Sequence, residues 1–211
     1  YPMLEQLNKE LIDNTKKTDK EVDNWITKED LKEITDKCDA ILVDIKGKRK
    51  IDDNQYSKLL DCVILSLYTK TVPRRSLDYI EMVVDKPEEN QTTNYYYQSK
   101  FYFNRFKTQK TYQQQIIDVP PSLDNIIKLY LKHKKGTTNH FLVNVKGTQL
   151  KTSTDMTNRL NKIFDSKVSS SMLRKQYLTS KYGNVIEELQ EDTKNMATSV
   201  GTAMTNYIKK D

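Results

Sequence analysis

Between residues 56 and 68 the apolar side chains Leu59, Leu60, Cys62, Val63, Ile64, Leu65 and Leu67 fall on nearly every face of a would-be helix. A helix without a polar stripe cannot lie on a surface, so it must run through the middle of the fold with partners on several sides. The flanking sequence supplies amphipathic candidates. Thr27, with Asp30 three residues on, has the form of a capping box, and Leu31, Ile34, Cys38 and Ile41 follow on one face. Ser122 caps a helix that carries Leu123, Ile126, Ile127, Tyr130 and Leu131 and ends at Gly136. Periodicity predicts further helices over 3–13, 154–165, 170–182 (closed by Gly183) and 184–194, and a last one holding Tyr207. Residues 14–24 are polar and read as a linker or exposed turn, and 44–54 as a charged loop around Gly47.

Strand signals are confined to one stretch. Residues 79–84 read as a short strand and 95–106, aromatic-rich with Phe101 and Phe103 alternating, as a second. Residues 113–119 read as its partner, stopped by Pro120 and Pro121. Residues 140–145 are short and extended. The expected fold class is mainly α with a small antiparallel β-sheet (α+β). The expected organisation is an N-terminal helix and linker over 1–24, then one domain over 25–211.

The chain of 211 residues carries a net charge of +6, which favours a polyanionic partner. Of its 35 basic residues only six are arginines, so lysine is the default cation and each arginine is more telling. Cys38 and Cys62 lie in apolar helical patterns and are expected to be buried free thiols in a reducing interior. With His133 and His140 they show no zinc spacing, so no metal is expected. No apolar run reaches the roughly 18 residues of a membrane span, and no signal peptide is visible. An intracellular location is expected. The start at Tyr1-Pro2 rather than Met suggests a piece of a longer protein.

Four basic or phenolic positions stand out in chain order: Arg75 in Val-Pro-Arg-Arg-Ser-Leu-Asp, Lys107 in Phe-Lys-Thr-Gln-Lys, Arg174 in Ser-Met-Leu-Arg-Lys, and Tyr207, nine residues after Thr198. Taken singly, each has a plain reading: a helix-end arginine, one of many lysines, an ion-pairing arginine, a packing tyrosine. Their joint order resembles the catalytic domain of the tyrosine recombinase (phage integrase) family over roughly residues 26–211. In that family an arginine after a buried helix is trailed three residues later by Glu or Asp; Arg75 with Asp78 matches. Arg74 is the rival first arginine, because Thr71 precedes it by the spacing of the family's Thr-Gly-x-Arg. Arg75 is preferred for its acidic partner. Lys107-Thr108 matches the family's hairpin lysine, and Ile-Asp-Val-Pro ends the next strand as expected. The Pro-Arg-Arg-x-x-Asp-Tyr form is similar to recombinases of eukaryotic DNA viruses and virophages.

The resemblance implies a site-specific recombinase or integrase that cuts and rejoins DNA through a 3′-phosphotyrosine, without metal, ATP or other cofactor. Tyr207 would be the nucleophile, Arg75 and Arg174 the phosphate clamps, Lys107 the donor to the leaving 5′ hydroxyl, and Asp78 a brace. Two positions depart from the pattern. Ser171 stands where the family has the histidine of His-x-x-Arg, and Thr198 where it has His or Trp. Both can donate to a phosphate oxygen, but neither is a general base at neutral pH. Three readings therefore stay open: the recombinase, a catalytically impaired DNA-binding relative, and an enzyme like the type IB topoisomerases. Double-stranded DNA is the expected partner in each. Four residues follow Tyr207, too few for the family's subunit-docking tail, so a monomer that assembles only on DNA is expected.

The aromatic run Tyr95-Tyr96-Tyr97 fits strand packing better than base stacking. Lys132, Lys134 and Lys135 near His133 read by default as a solvated helix end, with a phosphate patch as the alternative.

Overall fold

A computed structural model describes residues 17–88 and 92–208. The helix expected over 3–13 lies outside them. The chain divides into two compact units, Tyr1–Leu173 and Arg174–Asp211.

The first unit is built around helix α3 (Asp53–Thr69), in which Tyr56, Leu59, Leu60, Val63, Ile64 and Leu67 have no exposed surface. This is the buried helix read from the sequence. Asp52 and Gln55 start it with a capping box. Before it come α1 (Asp19–Asp23) and α2 (Lys28–Lys46), each opened by a capping box, Thr18 with Glu21 and Thr27 with Asp30. The expected linker over 14–24 thus contains a turn of helix: Thr18 and Glu21 supply the cap that its polar composition concealed.

A short connection makes α2 and α3 antiparallel neighbours. Cys38 lies about as far before that connection as Cys62 lies after it, so the two meet. They form a disulfide, with Cα atoms 5.5 Å apart. The expectation of free thiols is corrected by this symmetry about the turn.

Helix α4 (Ser76–Ile80) and strand β1 (Met82–Val84) follow, where a single strand over 79–84 was expected. Strands β2 (Asn94–Tyr97), β3 (Lys100–Phe103) and β4 (Gln115–Asp118) complete a sheet in sequential order. The sheet is mixed rather than antiparallel, because β1 and β2 run parallel, Met82 opposite Asn94. Asn94 explains the direction. Its amide donates to the carbonyls of Asp78 and Arg105 while its oxygen accepts from the N–H groups of Asn104 and Arg105. That fully buried clamp fixes where β2 begins.

The stretch 95–106 is not one strand. It folds back at Gln98-Ser99, both at positive φ, and Tyr97 pairs with Lys100 across a two-residue hairpin turn. Neither residue is the usual Asn or Gly of such turns. Ser99 is instead tied down, its hydroxyl donating to Asp124 on helix α6 (Pro121–His133) at 2.9 Å. Tyr95 and Tyr96 are buried, so the tyrosine run is strand packing.

Helix α5 (Gln109–Tyr112) interrupts the β3–β4 connection. Helix α6 packs on α3, where the Tyr56 and Tyr130 hydroxyls lie 3.2 Å apart and both meet the Val143 backbone. Residues 139–141 run beside β1 through Val84 N–H to Asn139 and Phe141 N–H to Met82. Gly136 does not end α6, which stops at His133. It lies where two backbones touch: a Cβ there would stand 2.7 Å from the Gly147 oxygen. Helix α7 (Ser153–Phe164), opened by a Thr152–Asp155 capping box, packs against α3 through the Arg159–Asp61 pair at 2.5 Å.

Helix α8 (Ser170–Asn195) runs without a break through Gly183, where two helices were expected. One glycine mid-helix costs about 1 kcal/mol, less than ending a helix with neither cap nor turn. The true stop is a Schellman motif at Ala197 in the left-handed region, with Thr198 N–H donating to Thr193 and Ala197 N–H to Lys194. Helix α9 (Val200–Thr202) and one π turn (Ala203–Tyr207) end the described chain. Among the described residues no helix is long and apolar enough to cross a membrane.

Asp124 ties the hairpin to α6. It accepts from Tyr96 at 2.5 Å and pairs with Lys128 at 2.6 Å as well as accepting from Ser99. Burial alone would raise its carboxyl, but the bonds from Lys128, Tyr96 and Ser99 outweigh burial and hold it below the ordinary aspartate range. A depressed folded value contributes stability above the unfolded pKa and loses it as pH falls through the folded one. Asp124→Asn should therefore cost about 1–3 kcal/mol at neutral pH in urea titrations. The gap to wild type should close as pH falls below about 4; a gap constant from neutral to strongly acid pH would contradict this.

Candidate phosphate-binding site

After α3 ends at Thr69, the chain passes Pro73 and turns into α4. Arg74 and Arg75 occupy that turn. Arg75 is the N-cap position of α4, half-buried, and its side chain makes no hydrogen bond or ion pair among the described residues. Arg74 behaves differently. Its Nε donates to Asp78 Oδ2 at 2.9 Å, four residues on along the helix. One terminal nitrogen donates to Gln115 Oε1 at 2.5 Å. The guanidinium lies 3.9 Å from the Phe103 ring centre and 4.9 Å from that of Phe106.

The acidic partner that favoured Arg75 therefore belongs to Arg74. The reason is helical geometry. Asp78 lies three residues from Arg75 and four from Arg74, but Arg75 is the cap, where the chain is still extended. Arg74, one residue before the cap, is the one whose Nε reaches Asp78.

The sheet prepares the other side. Phe103 and Gln115 are directly opposed in β3 and β4, so their side chains share one face. The ring forms a floor for the guanidinium and the amide a wall. Tyr79 lies beneath, fully buried, its ring edge-on to Tyr68, Phe101 and Phe103. Burial drives its phenol far above the usual tyrosine range, so it stays neutral. The side chains of Arg74 and Asp78 keep 14% and 6% of their exposure, yet one terminal nitrogen of the guanidinium has no partner among the described residues. A planar cation held on two sides with donors to spare is built to receive an anion.

Of the residues singled out from sequence, the fold brings Arg74 and Asp78 together. Lys107 is exposed in the β3–α5 connection, directly after Phe106, whose ring contacts Arg74. Ser171 is exposed in the first turn of α8, within the first unit. Arg174, Thr198 and Tyr207 belong to the second. There Arg174 is half-buried on α8, Thr198 contributes its N–H to the helix stop, and Tyr207 ends the π turn with 60% of its surface exposed.

Sequence reasoning missed Gln115, Phe103 and the Asn94 clamp as parts of the site. Gln115 could be read only as one of three glutamines opening a strand. What marks it is cross-strand register, which a single sequence does not display. Among the described residues no His, Cys, Asp and Glu side chains gather into a metal-binding group. The sequence matches no protein-family profile, no curated protein and no solved structure.

Asp78→Ala leaves a nearly buried guanidinium without its carboxylate and should cost about 3–5 kcal/mol in urea unfolding. Arg75→Ala should stay within about 0.5 kcal/mol of wild type. Equal losses from the two substitutions would contradict the pairing.

Proposed function

We propose that this chain is the catalytic part of a DNA strand transferase of the tyrosine recombinase kind, with Arg74 rather than Arg75 as its first phosphate-binding arginine. The observation that carries the reading is the pinned Arg74 guanidinium, which follows a buried helix, is braced by Asp78 and lies beside the loop of Lys107. The order of Arg174 and Tyr207 further along the chain adds to it.

The chemistry asked of these residues is a phosphoryl transfer at one DNA linkage. The Tyr207 oxygen attacks phosphorus and passes its proton to solvent water, to which the residue is exposed, forming a 3′-phosphotyrosyl ester. The bond from phosphorus to the 5′ oxygen breaks, and its electron pair leaves with that oxygen, which takes a proton from Lys107. Negative charge grows on the two non-bridging oxygens. Arg74 and Arg174 are the donors assigned to them, with Ser171 and Thr198 as supplementary hydroxyl donors. Donors fixed before reaction are worth more than donors that must be organised during it. Attack by a different 5′ hydroxyl reverses the steps and completes strand exchange, so no external energy source is required.

A second reading is favoured by Ser171 and Thr198. Neither hydroxyl can act as a base at neutral pH. A relative that binds DNA and has lost cleavage fits this feature equally well.

The test is a nicked suicide duplex that traps the covalent ester. The proposal expects an adduct on the peptide containing Tyr207 that is absent in Tyr207→Phe. Arg74→Ala should slow its formation by about 10²–10³-fold, and Arg75→Ala by less than about tenfold. DNA binding without any adduct would establish the second reading. An adduct on Tyr112, which is exposed on α5, would contradict the nucleophile assignment. Relaxation of supercoiled plasmid by a monomer without site preference would indicate a topoisomerase instead.

A further inference from the structure

Three stretches carrying cations meet at the end of α3 opposite Arg74. The α2–α3 connection brings Lys48, Arg49 and Lys50; the end of α6 brings Lys132, Lys134 and Lys135; the following loop brings Lys146. Their meeting is fixed by contacts. Lys132 Nζ donates to the Lys48 carbonyl at 3.2 Å, and Lys135 pairs with Asp53 at 3.2 Å while facing the Tyr56 ring. Gly136 and Gly147 touch backbone to backbone, which carries Lys146 to the same end. The nearby carboxylates are Asp44, Asp52 and Asp53. Asp44 is taken by Lys48 and Asp53 by Lys135, while Asp52 caps α3. Among the described residues the side chains of Arg49, Lys50 and Lys146 make no hydrogen bond or ion pair, and all three are exposed.

Like charges left unpaired at close range repel and are retained at a cost unless an anion joins them. Lys134 is partly buried, which holds its ammonium below the ordinary lysine range, and it donates to the Thr138 carbonyl. His133, between Lys132 and Lys134, is held below its usual value by burial and by the charges of Lys132 and Lys135.

We propose that this surface is a second contact for the phosphate backbone of duplex DNA, separate from the Arg74 site. In taking DNA as the polyanion, it rests on the reading above. The two anion sites lie at opposite ends of α3, whose 17 residues span about 25 Å. That is the length of about seven base pairs. A ligand with phosphates repeated along its length can meet both ends, whereas a single phosphate group cannot.

The experiment compares full chains binding a labelled 20-base-pair duplex over a range of salt. Arg49→Gln, Lys50→Gln and Lys146→Gln are combined, since none of these side chains holds the fold together. The slope of log affinity against log salt should become shallower by about two to three units. A control combining Lys20→Gln, Lys28→Gln and Lys151→Gln removes the same charge elsewhere and should change the slope by less than about one unit. An unchanged slope in the first variant overturns the proposal, as does an equal change in the control or a failure to bind DNA at all. Weaker binding of poly-glutamate with an unaltered DNA slope also overturns it, pointing to an acidic protein partner. Suicide-duplex trapping is run in parallel. An adduct with an unchanged slope sinks this surface alone, while a shallower slope with no adduct sinks the strand-transfer reading alone.

Discussion

Taking a guanidinium and a carboxylate out of water costs several kcal/mol per ion, and their attraction repays it only where geometry and supporting hydrogen bonds are good. The Arg74–Asp78 pair meets that condition by drawing on three parts of the fold. Asp78 lies on α4, Phe103 on β3 and Gln115 on β4, while Arg74 itself sits where the central helix has just ended. The arrangement fixes sheet register as well. A slip of one residue between β3 and β4 would turn Gln115 to the outer face and remove the second anchor. The Ser99–Asp124 bond and the Asn94 clamp hold the strands in place, so features far from the guanidinium serve its position.

How much of this the sequence displayed depended on whether the cause was local. The buried α3 was legible because seven apolar side chains cover nearly all its faces, and α2 because Thr27 and Asp30 form their cap within four residues. The hairpin at Gln98-Ser99 was not legible. Its positive φ values are held by Asp124, more than twenty residues on, rather than by a glycine or asparagine of its own. Gly183 misled for the opposite reason: a glycine suggests a helix stop, but the capping geometry lies at Ala197, a residue with no such signature. The disulfide needed the symmetry of Cys38 and Cys62 about a turn, which composition does not reveal. In the site itself, motif spacing found Arg74, Arg75 and Asp78 but joined Arg75 to the carboxylate that Arg74 holds, because spacing along the chain does not show which of two adjacent side chains reaches it.

These particulars bear on function through the direction of the fixed donors. A surface arginine reorganises when an anion arrives, and that reorganisation reduces its worth. Arg74 has already been oriented by Asp78 and Gln115, and the phenyl faces keep competing water away from one side. The basic end of α3 is of another type, exposed cations giving a diffuse field rather than one oriented fork. On the proposed reading, the basic end would hold a duplex loosely and Arg74 would hold one phosphate firmly. On the proposed reading, Ser171 and Thr198 would limit rate rather than binding, since hydroxyls hold a phosphate oxygen but move protons poorly at neutral pH.

The central claim is that Arg74 is the braced arginine. Nitrogen-edited NMR of the arginine Nε–H groups addresses it without any substrate. A proton shared with a nearly buried carboxylate exchanges slowly with water, whereas one on an unpartnered side chain exchanges fast. The account predicts a slowly exchanging Arg74 Nε–H that is lost in Asp78→Ala, beside a fast Arg75. A slow Arg75 and a fast Arg74 would contradict it.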